Sequence, residues 1–374
     1  MRNLIAILSA LLLSLAAHAA VLAAPPTIPT LSRGINIPHW WWLAQDATPE
    51  GRNKYISVNE FKALKDAGFT HVRVPFDPDL VYDHAANAVR PATVAELKAT
   101  ITLINKAGLA VVLDNHPMGT RAEWALADKQ PEQWGAALEK FWATFAPQLT
   151  DTDPALVVIE LLNEPFGIKD KAQWPRVQEK IFPVIRKACP KHTIMLTGDD
   201  YGGIDGLLRL TPVKDDNVVY SFHFYESHTF THQSATWGAP FWKHIKDLPY
   251  PSTPEIVEPV AKAITDQQAA GAVRSYGKER WNAQKIAARI EQAAAWAKDH
   301  NAVVYCGEFG AIRSAAPPAD RTAWLADVVK ACEGRSIGRA MWDYAGGFAL
   351  ATGEAGKRTL DPQTLGAIVP AQKR

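Results

Sequence analysis

From residue 32 onward the chain alternates short apolar runs with stretches of helical period, and it does so eight times. The runs are 32–37 (SRGINI), 70–77 (THVRVPFD), 109–117 (LAVVLDNHP), 155–165 (ALVVIELLNEP), 193–201, 217–225, 302–310 and 338–347. They are continuous rather than alternating, so both faces of each strand must be covered, the condition of a parallel sheet flanked by helices. The stretches 57–69, 94–108, 131–149, 172–189, 276–301 and 318–333 have the helical pattern, and Ser57 with Glu60 forms a capping-box signature. Eight such units predict closure into a (β/α)8 barrel. An open doubly wound sheet is the alternative, but no glycine-rich phosphate loop follows the first strand. The rhythm breaks once, at 226–275, a stretch rich in Trp, His and Pro. Loops this long are functional or disordered, and the aromatics of TWGAPFW predict a packed, functional insertion after strand six.

Composition narrows the function. The chain of 374 residues has a formal net charge of +1, which leaves no electrostatic footprint for nucleic acid or an anionic membrane. Residues 1–24 place Arg2 before an apolar run and small residues, the layout of a secretory signal peptide. The apolar run is short for a membrane span. A single catalytic domain over 25–374 is expected, secreted or periplasmic and monomeric, with no membrane contact once the leader is removed. Cys189, Cys306 and Cys332 are an odd set and are read as small buried hydrophobes, with no disulfide framework.

In a barrel of this kind the active site lies at the C-terminal ends of the strands. Those ends carry Arg73 on strand two, His116 on three, Asn163 and Glu164 on four, His223 and Tyr225 on six, Glu308 on seven and Trp342 on eight. A carboxylate at the mouth of an apolar strand is costly unless it is paired or neutralised. Glu164 and Glu308 sit on strands roughly opposite one another. Two carboxylates facing across a cleft suit glycosidic bond cleavage, with a gap of about 5–5.5 Å for retention and about 6.5–9.5 Å for inversion.

As an ordered set these residues resemble glycoside hydrolase family 5, the large cellulase family of the retaining (β/α)8 clan. The resemblance runs from RGINIPHW to MWDYAGG, nearly the whole mature chain. It implies that Glu164, after Asn163, is the acid/base and that Glu308 in YCGEFGA is the nucleophile. It matches Arg73, His116, His223, Tyr225 and Trp342 to the family's supporting residues. The implied activity is endo-hydrolysis of β-1,4-glucan by double displacement. Another β-glycan (mannan, β-1,3-glucan or a bacterial exopolysaccharide) or a non-catalytic polysaccharide-binding barrel are the alternatives.

Physical roles follow. Arg73 and the Tyr225 hydroxyl would favour the Glu308 anion, and Glu164 would need a raised pKa. Asn163 would donate to a sugar 2-hydroxyl, and Trp342 would floor the cleaved sugar. His39 and Trp40, within the HWWW of 39–42, and Trp237 and Trp242 of the insertion are candidate sugar contacts. Glu160, Asp114, Asp199 and Asp200 are read as supporting carboxylates. GRSIG at 334–338 has the form of a serine-hydrolase elbow but lies between a helix and a strand, the wrong order, and is read as a turn. His228 and His232 lack partners at metal-ligand spacing, so no metal or cofactor is expected.

Overall fold

A computed structural model describes residues 29–118, 127 and 129–370. The leader expected at 1–24 lies outside the described residues.

Eight strands close a barrel: β1 (Arg33–Asn36), β2 (His71–Phe76), β3 (Ala110–Asn115), β4 (Val157–Glu160), β5 (Thr193–Thr197), β6 (Val218–Phe224), β7 (Val303–Phe309) and β8 (Gly338–Met341). Every neighbouring pair is parallel, and β1 pairs with both β2 and β8. The expected closed barrel is therefore the fold.

Alternation along the strands produces two cores. One set packs against the outer helices and includes Val111, Leu113, Ile159, Ile194 and Phe309. Burying each such large side chain contributes about 1.5–3 kcal/mol. The other set, with Val112, Val158, Met195, Val219, Tyr305 and Ala340, forms a separate cluster inside the barrel. His71 plugs the same interior, its Nε2 2.6 Å from the Tyr305 hydroxyl. Gly34 makes room for that ring, since a Cβ there would lie 2.1 Å from His71 Nε2.

The helices begin where local chemistry lets them. Ser57 and Glu60 close the capping box that starts Val58–Asp66. Proline opens Pro91–Lys106, Pro131–Phe145 and Pro318–Glu333, where its missing N–H costs nothing. All three cysteines are free and buried, as read from sequence. Among the described residues no helix is long and apolar enough to cross a membrane.

Two expectations need correction. The insertion is less of a loop than its composition suggests. It holds the helices Pro254–Ala263 and Gln267–Glu279, started by the side chains of Thr253 and Asp266 and joined by the paired Arg274 and Glu258. The helix expected over 276–301 is likewise two. The first ends at Glu279, Arg280 turns left-handed, and Asn282 caps a new helix, Ala283–Asp299. The capping residues carried that signal, and a continuous apolar period masked it.

Candidate active site

Period-two alternation also builds the site. Two residues beyond the interior layer, the same faces carry Asn36, Arg73, Asp114, Glu160 and Ser221, so their side chains meet above the apolar plug. Glu308 joins them through an irregularity. β6 and β7 pair Phe222 with Cys306 but His223 with Glu308, so Gly307 is an extra residue that re-aims the next side chain. A Cβ at 307 would lie 2.5 Å from Ser221 Oγ and 3.0 Å from His223 Nε2, so only glycine fits there.

Arg73, with no exposed surface, organises the floor. Its Nε and Nη2 donate to the two oxygens of Glu160 at 2.7 and 3.0 Å. Nη1 donates to Asn36 Oδ1 at 2.9 Å and to Glu308 Oε1 at 2.7 Å. Nη2 also donates to Asn163 Oδ1 at 2.8 Å and lies 3.0 Å from Asp114 Oδ2. The guanidinium's five N–H groups make five hydrogen bonds, with Asp114 as a further ion-pair contact, a geometry lysine cannot reproduce.

The remaining polar groups are fixed in turn. The Tyr225 hydroxyl donates to Glu308 Oε2 at 2.8 Å. His223 Nδ1 lies 2.7 Å from Glu164 Oε1 and 3.6 Å from Glu308 Oε2. His116 Nδ1 faces Asp114 Oδ2 at 2.7 Å, and its Nε2 faces the Asn163 amide nitrogen at 2.9 Å. Burial lowers the His116 pKa to about 3, so the ring is neutral. Nδ1–H therefore donates to Asp114, and Nε2 accepts from Asn163. That leaves one Asn163 N–H to point elsewhere.

The two glutamates differ in setting. Glu308 is 4% exposed, whereas the Glu164 side chain is 26% exposed to the cleft. Glu164 adopts φ +38°, a left-handed conformation that a residue with a Cβ enters only when its surroundings impose it. Burial pushes the Glu164 pKa up to about 7 against the pull of Arg73, and Glu160 adds repulsion. Burial also raises Glu308, but His223 and Arg73 oppose it. A guanidinium and a phenol both donate to Glu308, contacts that favour its anion. Carboxylate oxygens of Glu164 and Glu308 and a ring nitrogen of His223 lie within 4.8 Å of one another. Such a cluster can place a proton donor and an anionic nucleophile on one bond.

The aromatic candidates divide. Trp342 stacks on His116 with ring centroids 5.9 Å apart. Trp40 is not at the site: it is buried against Tyr55 and Phe61, and its Nε1 donates to the Arg52 carbonyl. The residue of that cluster facing the site is Trp42, 4.1 Å from the His116 ring and 5.9 Å from Trp342. His39 is half-buried with φ +61° and stands against Gly346, where a Cβ would come 2.7 Å from its Nε2. Trp242 stacks on His228 and His232, and His232 stands edge-on to Tyr225. Trp237 is 54% exposed. The insertion thus reaches the residue that holds Glu308.

Sequence reasoning did not identify Asn36. It is the one polar side chain near the end of a short strand, and pairing β1 with β2 brings it level with Arg73. Asp114 and Glu160, expected as supporting carboxylates, both contact Arg73.

Known proteins match this arrangement. Endoglucanase C of Acetivibrio thermocellus is 26% identical over 316 residues, covering 83% of this chain and 90% of that one. Cellodextrinase A of Ruminococcus flavefaciens is 28% identical over 292 residues, 75% of this chain and 76% of that one. The Cel5A structure of Thermotoga maritima in complex with cellobiose superposes with a TM-score of 0.72 at 25% identity, covering 91% of this chain and 98% of that one. The family model for cellulase (glycosyl hydrolase family 5) matches residues 43–347. The barrel, the glutamates just after β4 and on β7, and this match agree: the chain belongs to glycosyl hydrolase family 5 and is an O-glycosyl hydrolase of β-glycans.

Proposed function

We propose that the protein is an exported endo-β-1,4-glucanase that cleaves with retention, Glu308 attacking the anomeric carbon and Glu164 serving as acid and then base. The observation that carries the reading is the close approach of the two carboxyl groups, their oxygens sharing with His223 a cluster only 4.8 Å across. That spacing supports double displacement, because an inverting pair needs about 6.5–9.5 Å to admit a water. In this scheme the free N–H of Asn163 meets the sugar 2-hydroxyl, and Trp42 with Trp342 floors the cleaved sugar. The leader-like residues 1–24 support export. Its relatives among the endoglucanases and a cellodextrinase support β-1,4-glucan.

Two neighbours favour a second reading of the substrate. Thermotoga maritima Cel5A has also been solved in complex with mannotriose, with a TM-score of 0.70. A cellulose synthase subunit of Clostridioides difficile, CcsZ, superposes with a TM-score of 0.72 at 26% identity. Reducing-end release from carboxymethyl cellulose, barley β-glucan, mannan and bacterial cellulose separates these. The expected result is fastest release from β-1,4-glucan, with viscosity falling well before sugar release is complete. Fastest release from mannan, or slow loss of viscosity, overturns the substrate or the endo assignment respectively.

The roles also set a pH dependence. Turnover needs Glu308 ionised and Glu164 protonated, so kcat/KM rises on the acid side and falls as pH passes about 7, where Glu164 loses its proton. In Glu164→Gln, assayed on an activated aryl glycoside, the alkaline fall should vanish and the acid limb remain. An alkaline limb unchanged in that variant would assign it to another group.

A further inference from the structure

A segment that crosses the surface keeps its polar side chains in water unless partners hold them inside. Thr231, His232 and Gln233, near the start of the insertion, are 0%, 9% and 0% exposed. Gln233 has a structural reason to be buried. Its amide nitrogen donates to the Phe230 and Leu248 carbonyls, and its oxygen accepts the Leu248 N–H at 2.8 Å, which closes the loop on itself. Thr231 and His232 make their contacts toward the barrel instead.

Both grip Tyr225. The Thr231 hydroxyl donates to the Tyr225 carbonyl at 2.7 Å. That uses its only hydrogen, so it accepts from His232 Nδ1, 3.0 Å away. Burial lowers the His232 pKa to about 3, so the ring is neutral and carries its proton on Nδ1. The same ring stands edge-on to the Tyr225 ring, with centroids 5.1 Å apart. Trp242 and Phe348 back it at 4.9 and 5.7 Å. The Thr231 carbonyl accepts the Ile312 N–H at 2.9 Å, just past Glu308. The pair thus ties the segment bearing the phenol to the segment bearing the carboxylate.

That tie bears on the chemistry. The Tyr225 hydroxyl donates to Glu308 Oε2 while Arg73 donates to Oε1. A hydrogen bond weakens steeply as its distance and angle are lost, so the phenol must be held in place. We propose that Thr231 and His232 are positioning residues for the nucleophile, holding Tyr225 so that its hydroxyl stays on Glu308. The inference rests on Glu308 being the nucleophile. Loss of a donor favours the neutral carboxyl, so loosening the grip should move the acid limb of kcat/KM to higher pH. The other charged or titratable groups facing Glu308 are Arg73 from β2, His116 from β3, Glu164 after β4, His223 from β6 and Cys306 on β7 itself. Among the described residues, the hydrogen bonds and ring contacts of Thr231 and His232 reach Tyr225 and none of these. The titratable group facing His232 itself is His228, stacked at 5.3 Å. The root of the insertion is thus continuous with the support of the nucleophile.

The test follows kcat/KM against pH on an activated aryl cellobioside, whose departure needs little acid. His232→Ala and Thr231→Val should each lower kcat about tenfold, the scale of one hydrogen bond to a charged group. Each should also move the acid limb to higher pH, in the direction and toward the extent given by Tyr225→Phe. Thr231→Ser keeps the hydroxyl and should restore both the rate and the limb. On a Tyr225→Phe background, His232→Ala should add little, because the hydroxyl it positions is already gone. A side chain that only held the loop together would lower Tm and the yield of active enzyme but leave the limb in place. Should His232→Ala not fold, Thr231→Val reads the same shift. An acid limb unmoved in a folded variant overturns the proposal, as does a loss that recurs in full on Tyr225→Phe. Failure of Glu308 as the nucleophile is seen separately, in the Glu308→Gly azide experiment below.

Discussion

Replacing Glu308 by Gln is expected to lower turnover by at least about 10⁴-fold, the scale on which removal of a covalent nucleophile acts. The substitution keeps the side chain's shape and one acceptor oxygen for Tyr225 or Arg73, but it removes the negative charge that attacks. Substrate affinity should change far less, because Glu308 is 4% exposed and the aromatic contacts stand apart from it. A sharper form of the experiment uses Glu308→Gly. Small anions such as azide then fit where the carboxylate stood, and they should restore cleavage of an activated β-glycoside. The glycosyl azide should have the opposite anomeric configuration to the wild-type product, since only one displacement has occurred. Near-normal turnover in Glu308→Gln would refute the assignment, and so would a rescued product of retained configuration.

Glu164→Ala should separate substrates by the quality of their leaving groups. Loss of a general acid costs about 10²–10⁴-fold where the departing oxygen needs a proton, as in a natural glycosidic bond. A dinitrophenyl glycoside departs without one, so formation of its glycosyl-enzyme should be nearly spared. Hydrolysis of that intermediate still needs a base, so the intermediate should accumulate and be visible by mass spectrometry of the intact protein. Equal losses on both substrates would remove the acid/base role from Glu164.

Much of this was legible before any coordinates. The barrel followed from eight apolar runs, because continuous burial on both faces leaves parallel strands few other arrangements. The polar residues at strand ends were legible for the same reason: Arg73 and Glu160 stand out against Val and Ile because a buried charge needs a partner. What stayed hidden depended on neighbours in space. Asn36 has no local signal, and its role appears only when β1 lies against β2 and β8. The slip at Gly307 was marked by a glycine within a strand, but alternation alone would have assigned Glu308 to the wrong face. Trp40 and Trp42 are chemically identical and two residues apart, and only their direction from the strand end distinguishes core from site. The insertion misled through composition, because its Trp, His and Pro content points to a loop whereas Pro254 opens a helix.

The position of Arg73 has a consequence for how such a protein can change. Every N–H of this buried side chain is committed beneath the cleft, to groups on or beside β1, β4 and β7. The spacing of the two glutamates is therefore set from below, by a residue a sugar need not touch. The surfaces that would meet the rest of a polysaccharide, including the outer part of the insertion with Trp237 and Trp242, come from segments beyond the strand ends. Chemistry and selectivity are thus assigned to separate tiers of the molecule. The upper tier can be lengthened, shortened or exchanged while the lower keeps its register, so one foundation can serve polysaccharides that share little beyond a β-linkage.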